Sequence, residues 1–405
     1  MKKTLAVITA AALAVSSAFV FAGCTPRDEK LRIYNWGDYM DESLIAEFES
    51  WYSETTGKKI KVEYDTFDTN EDMITRIEVQ KEDYDLVCPS DYMAERMIKS
   101  NLVSKVNTEI FDMHRDDLFY DGLAEMITPF DANNEYFVPY IWGTFGIMYD
   151  TDKIAVGSDD MKTWEALWPS SKYNKRILMK NSVRDAYSVA RIYENRARLS
   201  ELSDGFTDYN AEYRAELNSY FSEISADTLN AAKATLIAQR SGLLKYEVDD
   251  GKNDMLAGTT DAWLGLFWSC DSGIIMNETN GKHFYYEVPK EGSNVWVDGW
   301  LIPKYAGNAD AANYFLEFIN THEYAKTNFE YLGNTLAVKS VMDEAKSELE
   351  ADTQFFAGTY PEFKQMYLDM MFPPAEVLAR CGVMRDFGKA WSTELDSMWI
   401  DVKIS

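Results

Sequence analysis

The chain has 405 residues, with 67 acidic and 40 basic side chains and a formal net charge of −27. Such a charge argues against binding to nucleic acid or to anionic lipid, because both would repel the protein. A hydrophobic content of 46% is enough for a packed core and argues against a disordered chain.

The first 23 residues have the pattern of a secretory signal peptide. Two lysines precede an apolar run from Leu5 to Phe21, which is too short for a transmembrane helix. The small residues before Cys24 resemble a bacterial lipobox, although Phe21 stands where an aliphatic residue is usual. We therefore expect residues 1–23 to be removed, Cys24 to carry a lipid anchor and residues 24–30 to form a polar tether. The alternative is an ordinary signal peptide followed by a chance cysteine.

After the tether, strands and helices alternate along the chain. The pattern predicts strands at residues 32–36, 60–64 and 85–88, a helix that Asp41 can cap and that Gly57 ends, and a further helix around Met73. An alternation of strand and helix implies a mostly parallel sheet covered by helices.

Two later segments read as extended, apolar crossovers, at residues 138–144 and 295–303. Two α/β lobes joined by two such strands predict a hinged protein with its ligand in the cleft between the lobes. On this basis we expect one lobe to contain residues 31–140 with 299–369. The other lobe would contain residues 141–298 with 370–405. A chain of 405 residues is long enough for two lobes of this size.

Three cysteines remain besides the N-terminal one: Cys88, Cys270 and Cys381. They are either buried, inert thiols or include one disulfide, between Cys270 and Cys381. No Cys or His spacing is typical of a metal site, and the three histidines are scattered. The sequence thus gives little support to metal-dependent or Ser-His-Asp catalysis, and we expect neither a metal nor a cofactor.

Four short segments bring aromatic and acidic side chains together at the ends of predicted strands. They are Trp36-Gly37-Asp38-Tyr39, Ser90-Asp91-Tyr92, Trp268-Ser269-Cys270-Asp271 and Trp296-Val297-Asp298. Ligands of open α/β sheets bind beyond the carboxyl ends of the strands. Carboxylates pair with ammonium groups, and aromatic faces attract cations and cover methylenes. Because a lone Trp or Asp in such a place is more often a core residue or a helix cap, these residues alone support only a cleft-type binder.

In their order along the chain, residues 34–39, 85–92, 138–143 and 289–298 resemble the spermidine/putrescine-binding proteins of bacterial polyamine ABC transporters. The resemblance spans nearly the whole mature chain. It implies a two-lobed type II periplasmic-binding-protein fold, with mixed parallel sheets flanked by helices and a two-strand hinge. It also implies a monomeric binding protein, not an enzyme, that lies in the periplasm or on the cell surface and delivers a polyamine to an ABC permease.

The resemblance also assigns the ligand contacts, and Trp296 and Asp298 are the central pair. The full set is Trp36, Asp38, Tyr39, Ser90, Tyr92, Asp185, Trp268, Asp271, Trp296 and Asp298. Arg184 is expected to be a structural partner. Ser182 stands where spermidine binders carry an additional acid, and Asn334 stands where a tyrosine is common. Because Asp271 matches the putrescine-type arrangement, we favour putrescine over spermidine.

Two other functions remain open at this stage. A sugar-binding protein of an ABC importer would also stack its ligand on Trp and bind it with Asp, although sugar sites usually include Asn, Gln and Arg as well. A glycosidase would use two carboxylates across the scissile bond. The adjacent pairs Asp116-Asp117 and Asp249-Asp250 are weak candidates for that role, because sequence neighbours point apart.

Overall fold

The computed structural model describes residues 25–405 except 121, 249, 280–282 and 356–360. The strands are β1 Lys30–Trp36, β2 Lys61–Phe67, β3 Leu86–Val87, β4 Val103–Ser104, β5 Val138–Asp150, β6 Ile177–Lys180, β7 Leu243–Glu247, β8 Leu264–Trp268, β9 Phe284–Glu287, β10 Ser293–Trp300, β11 Ile302–Pro303 and β12 Cys381–Gly382. The predicted signal peptide and Cys24 lie outside the described residues.

The α-helices alternate with these strands over most of the chain. They are α1 Ser43–Thr56, α2 Asn70–Ile74, α3 Asp91–Lys99, α4 Leu123–Ile127, α5 Val183–Glu194, α6 Arg196–Leu202, α7 Ala211–Ser222, α8 Ala226–Arg240, α9 Asp250–Ala257, α10 Ser269–Thr279, α11 Ala309–Ile319, α12 His322–Leu332, α13 Lys339–Ala351, α14 Pro361–Met371, α15 Ala375–Leu378 and α16 Lys389–Ile404.

The first sheet has the strand order β2-β1-β3, and all its pairs are parallel. The predicted strand-helix-strand pattern is thus confirmed here. Helix α1 ends at Gly57, which has a φ of 71°, a conformation that costs glycine little because it has no Cβ. The expected cap was one residue early: Glu42 is the N-cap, and Asp41 Oδ1 instead accepts from the Ser43 backbone N–H at 2.9 Å.

The second sheet has the order β12-β10-β5-β8-β6-β7, with β9 also paired to β5. Strand β5 connects the two halves of the molecule. Its first part pairs with β10, where Ile141 faces Asp298 and Gly143 faces Trp296. Its second part pairs with β8 and β9. A bridge between Ser90 and Asp298 joins the region after β3 to β10. The two predicted crossover segments therefore run side by side.

Aromatic side chains fill the cores on both sides of these strands. Phe48 of α1 lies 5.1 Å, between ring centroids, from Phe315 of α11. On the other side, Phe145 of β5 lies 5.6 Å from Trp164. Phe363 of α14 packs on Tyr285 of β9 at 5.6 Å. Helix α14 thus lies against elements that the sequence assigned to the second lobe, although residues 299–369 were expected in the first.

Cys88, Cys270 and Cys381 are free thiols, so Cys270 and Cys381 do not form the disulfide that the sequence left open. Among the helices that the structure describes, none combines the length and the apolar character needed to cross a bilayer.

Candidate functional site

A cavity of about 440 Å³ lies where the two halves of the molecule meet, and all ten predicted ligand-binding residues line it. They come from separate elements. The loop after β1, the start of α3, the first turn of α5, the β8–α10 junction and the middle of β10 each contribute some of them. The carboxyl ends of parallel strands meet at one edge of a sheet, which explains why the segments after β1, β3, β6 and β8 converge here. Trp296 and Asp298 lie instead within β10, where it pairs antiparallel with β5, and not at the end of a strand as predicted.

Asp298 is the buried acid at the centre of the site, with 7% of its surface exposed. Its Oδ2 accepts a 2.7 Å hydrogen bond from the Tyr39 hydroxyl, whereas its Oδ1 has no hydrogen-bond partner in the described part of the chain. Burial raises the pKa of Asp298 to about 6; hydrogen bonding to Ser90 and Tyr39 opposes this shift, and the charge of Asp185 adds to it. A buried carboxylate oxygen that accepts no hydrogen bond costs free energy, because it has lost its water without gaining a partner. Such an oxygen is therefore a strong acceptor for a cationic donor.

Asp185 is the second buried acid and lies in the first turn of α5. Its backbone N–H donates to Ser182 Oγ at 3.4 Å, so Ser182 caps the helix. Its Oδ2 accepts a 3.0 Å hydrogen bond from Nε1 of Trp268. Burial raises the pKa of Asp185. The charge of Asp185 raises the pKa of Asp298, whereas Lys180 and Arg184 oppose the rise in the pKa of Asp185. A cation between the two acids would favour the charged form of both.

Trp296 and Trp36 form aromatic walls of the cavity. Trp296 is almost buried and stands two residues before Asp298 on the same strand, so both side chains leave one face of it. The indole Nε1 atoms of Trp296 and Trp36 have no partner among the described residues. Trp36 lies at the end of β1, with its ring 4.5 Å from that of Phe67.

Ser90 and Tyr92 are held by α2, an element that the sequence analysis did not connect with the site. The Asn70 side chain donates to Ser90 Oγ and to the Tyr92 hydroxyl, both at 3.1 Å, and accepts from the Ser90 backbone N–H. The Tyr92 hydroxyl donates to Glu71 at 3.2 Å. The guanidinium of Arg184 lies 4.4 Å from the centre of the Tyr92 ring, and Arg184 also lines the cavity; its structural role stays a prediction.

Asp38 lies at the edge of the cavity rather than inside it. Its side chain is exposed, and its backbone has a φ of 52°. An exposed ion pair contributes only about 0–1 kcal/mol, so Asp38 can attract a cation but can add little to its affinity.

Asp271 lines the cavity but already has two cationic partners. Its Oδ2 lies 2.7 Å from Lys180 Nζ and its Oδ1 3.2 Å from Lys252 Nζ. Although burial raises the pKa of Asp271, the two lysines outweigh it and hold the pKa below its usual value. Neither lysine was predicted from the sequence to lie at the site. The available signal was Lys180 at the end of the apolar run of β6, because a lysine buried in a strand requires acidic partners.

The lining as a whole favours a cation. Its described side chains include nine acidic and three basic ones. No group of three or more His, Cys, Asp or Glu side chains within the described ranges is arranged to hold a metal ion, so the charge is not organised as a metal centre. Four buried aspartates line the cavity. Asp271 pairs with two lysines, and Asp91 accepts from the backbone N–H groups of Tyr92 and Val297. The other two, Asp185 and Asp298, are flanked by tryptophans and suit an organic cation with apolar methylenes.

Comparison with known proteins agrees with this geometry. A family model for bacterial extracellular solute-binding proteins matches residues 43–357. The chain belongs to this family. Its members are solute-binding proteins of transporters, not enzymes, and the family places this solute-binding protein outside the cytoplasm.

Several curated relatives of this solute-binding protein have names that state their ligands. The spermidine/putrescine-binding periplasmic protein of Salmonella typhimurium is 28% identical over 309 residues, covering 76% of this chain and 77% of the relative. The putrescine-binding periplasmic protein PotF of Escherichia coli K12 is 26% identical over 326 residues, covering 78% and 80%. The resemblance seen in the sequence is confirmed.

A solved structure shares the fold. The spermidine/putrescine ABC transporter substrate-binding protein PotD of Streptococcus pneumoniae superposes with a TM-score of 0.65 at 24% identity, covering 93% of this chain and 99% of that one. The expected α/β fold class, that of a two-lobed type II periplasmic binding protein, is therefore confirmed.

Proposed function

We propose that this solute-binding protein captures a polyamine between its two halves, with putrescine favoured over spermidine, and delivers it to an ABC importer. The observation that carries the proposal is the pair of buried carboxylates, Asp298 and Asp185, within one cavity walled by Trp296 and Trp268. The names of the relatives support the same ligand class.

The energetics of the cavity suit a diamine. Each charge-assisted hydrogen bond between an ammonium and a buried carboxylate contributes about 1.5–3 kcal/mol. Each cation–π contact with an indole adds about 0.5–2 kcal/mol. Two such carboxylates with their tryptophans can therefore reach the roughly −8 kcal/mol of a micromolar complex after the cost of immobilising the ligand.

All ten predicted contacts line the cavity, and we propose that all except Asp271 contribute to ligand binding. Asp298 and Asp185 bind the two ammoniums, while Trp36, Trp268 and Trp296 cover the methylenes. Tyr39 orients Asp298, and the remaining side chains complete the walls. Asp271 lines the cavity without offering free charge, because two lysines already neutralise it.

The lobes would follow the predicted division with one change. We assign residues 31–140 with 299–355 to the first lobe and residues 141–298 with 361–405 to the second, because α14 packs on β9. Closure of the two lobes would be driven by the ligand only to the extent that it binds the closed form more tightly.

The decisive experiment is titration calorimetry with putrescine, spermidine and maltose. The proposal expects micromolar or tighter binding of an amine and no heat with maltose. Binding of maltose without amine binding would replace the proposal with the sugar-binding alternative. Turnover of a chromogenic glycoside would support the glycosidase instead.

The monomeric state and the membrane anchor are part of the same proposal. Cys24 would be acylated after removal of residues 1–23 and would tether a monomeric binding protein to the membrane through lipid alone. Mass spectrometry of the mature N terminus tests the modification. Cys24→Ala should release the protein into the soluble fraction, and an unlipidated Cys24 in the wild type would contradict the anchor.

A further inference from the structure

Two buried polar side chains lie behind the site without lining the cavity. Tyr140 of β5 is 4% exposed, and Asn328 of α12 is fully buried. The Asn328 amide donates to the Tyr140 hydroxyl at 2.8 Å, and the Tyr140 hydroxyl donates to the Tyr39 carbonyl at 2.8 Å. Because the Tyr39 hydroxyl donates to Asp298, these bonds connect α12 to the central acid of the site.

The direction of each proton in this path is determined. Asn328 Oδ1 accepts from the Asp41 backbone N–H at 2.9 Å, so the amide nitrogen of Asn328 is the atom that faces Tyr140. An amide nitrogen only donates, and the Tyr140 hydroxyl must therefore use its single proton on the Tyr39 carbonyl. Burial raises the pKa of Tyr140 well above its usual value, although the bond from Asn328 opposes this shift. The hydroxyl thus remains a donor at neutral pH.

These bonds hold the loop between β1 and α1 at two points. Tyr140 holds the carbonyl of Tyr39, and Asn328 holds the N–H of Asp41. Between β1 and these two points lies Asp38, whose φ of 52° is unfavourable for a residue with a Cβ. Such a backbone conformation persists only where the surrounding contacts hold it. Tyr140 and Asn328 supply such contacts to the loop that carries Tyr39.

Tyr140 reaches this loop from a bulge in β5. On β10 the consecutive residues Asp298 and Gly299 face Ile141 and Pro139. Tyr140 lies between those two residues of β5 and has no pairing partner on β10. A bulge bends a strand locally and can redirect a side chain beside a functional site. The strand irregularity that adjoins Asp298 is therefore the same feature that provides the support for Tyr39.

We propose that Tyr140, held by Asn328, is a positioning residue for ligand capture: it keeps Tyr39 where the Tyr39 hydroxyl orients the Asp298 carboxylate toward the ligand. The inference rests on the proposed polyamine function and deepens it, because it assigns part of the affinity to a residue outside the cavity. Partners of this kind orient the groups that meet a ligand, so that less order has to be imposed when the ligand binds.

The variant for the test is Tyr140→Phe, which removes one hydroxyl and keeps the ring that packs 4.9 Å from the ring of Trp300. Because the Tyr39 carbonyl loses its donor, the dissociation constant for putrescine should rise about threefold to tenfold. Titration calorimetry measures this change, and thermal unfolding checks that the variant is folded. A lower melting temperature with an unchanged dissociation constant would leave Tyr140 a structural role only and would overturn the inference.

A double-mutant cycle with Tyr39→Phe tests the route by which Tyr140 acts. If Tyr140 acts through the Tyr39 hydroxyl, Tyr140→Phe should change the affinity by about twofold or less once that hydroxyl is absent. An equal loss of affinity in both backgrounds would show that the two side chains act independently, which contradicts the inference.

The pH dependence of binding is a readout that a purely structural role would not move. The hydrogen bond from Tyr39 holds the pKa of Asp298 lower than its burial would set it. If Tyr140→Phe loosens that bond, this pKa should rise, and the pH at which putrescine affinity falls should move upward from about 6. The other titratable groups beside Asp298 are present in both proteins, namely Asp91, Asp185, Cys88 and Cys270. An unmoved midpoint would count against the inference.

The matched control is Tyr213→Phe. Tyr213 is fully buried, and its hydroxyl likewise donates to a backbone carbonyl, that of Glu291, at 3.0 Å. Tyr213 neither lines the cavity nor bonds to the loop that carries Tyr39. Its loss of a hydroxyl should therefore leave the putrescine affinity and the midpoint of the pH dependence unchanged, whatever it does to the melting temperature.

The outcomes distinguish the two proposals. If no amine binds the wild type, the polyamine function fails and this inference fails with it. If putrescine binds the wild type and binds Tyr140→Phe equally well, only the inference about Tyr140 fails.

Discussion

The Tyr39 hydroxyl donates a 2.7 Å hydrogen bond to Asp298 Oδ2, although the two residues are 259 positions apart in the chain. Tyr39 also accepts a 2.8 Å hydrogen bond at its backbone carbonyl from Tyr140, so its backbone is fixed as well. With Oδ2 held in this way, Oδ1 of Asp298 is the oxygen left for a ligand ammonium.

Removing this hydrogen bond should weaken ligand binding moderately. Tyr39→Phe leaves the ring in place but lets the Asp298 carboxylate rotate, and it leaves Oδ2 without a donor. We expect the dissociation constant for putrescine to rise about threefold to tenfold, as for the loss of one hydrogen bond to a charged group. Calorimetry measures the change, and an unaltered affinity would show that Tyr39 does not orient the acid.

Removing the charge of Asp298 should have a larger effect. Asp298→Asn is expected to weaken diamine binding by about tenfold or more, because a buried ammonium loses its charged partner. Asp68→Asn is the matched control: Asp68 also lines the cavity but is exposed. Its loss should change the affinity by about twofold or less.

Ligand binding should depend on pH through the same acid. The pKa of Asp298 is raised to about 6, so its carboxylate is charged above that pH and becomes neutral below it. A bound dication favours the charged form, and affinity should therefore be full at neutral pH and fall as the pH drops through about 6. Calorimetry at a series of pH values tests this. Asp298→Asn should lose most of the dependence, and a similar fall in the variant would assign it to other groups.

Because β5 lies close to β10 at Gly143, we expect a methyl group added at this position to weaken ligand binding. A Cβ added at Gly143 would lie 2.8 Å from Cζ2 of Trp296 and would also meet Ser269. Gly143→Ala should therefore displace the indole and weaken ligand binding by about tenfold. Gly273→Ala is the control, because its Cβ would have no neighbour nearer than 3.4 Å. Equal affinities for the two variants would contradict the proposed role of Trp296.

An ion pair between α3 and the segment after β12 should stabilise the described arrangement of the two halves. Glu95 accepts from Arg385 Nε and Nη2 at 2.9 and 2.7 Å, and from the Asp386 backbone N–H. Although burial raises the pKa of Glu95, the hydrogen bonds from Arg385 and Lys99 lower it to about 2. We expect Glu95→Gln to reduce the free energy of unfolding at neutral pH by about 2–3 kcal/mol.

The sign of the pH effect follows from that lowered pKa. The contribution of Glu95 is present above its usual pKa of 4.5 and is lost as the pH falls from there toward about 2. Denaturant unfolding at a series of pH values gives the free energy of unfolding of wild type and variant. The difference between the two free energies should shrink as the pH falls through this range. Glu201→Gln is the control, because its pair with Arg198 is exposed to solvent and should make no measurable contribution. A constant difference at all pH values would mean that Glu95 acts through packing.

Much of the fold could be read from the sequence because local patterns carry it. The alternation of strands and helices and the helix end at Gly57 depend on neighbouring residues. The packing of α14 could not be predicted in this way. It depends on a contact between Phe363 and Tyr285, and hydrophobic residues on a helix do not reveal which partner they will meet.

By itself the sequence determined which acids and aromatic rings stand next to one another in short segments, and the topology of an α/β sheet brings several of these segments to a common cavity. Only the tertiary structure decided which carboxylates are free to bind a cation. Asp271 and Asp298 look alike in sequence, because each follows a tryptophan closely. In the structure Lys180 and Lys252 neutralise Asp271, whereas Asp298 Oδ1 has no hydrogen-bond partner among the described residues. The reason is physical: the charge state and availability of a buried group depend on distances in space and on exclusion of water, which the order of residues does not express.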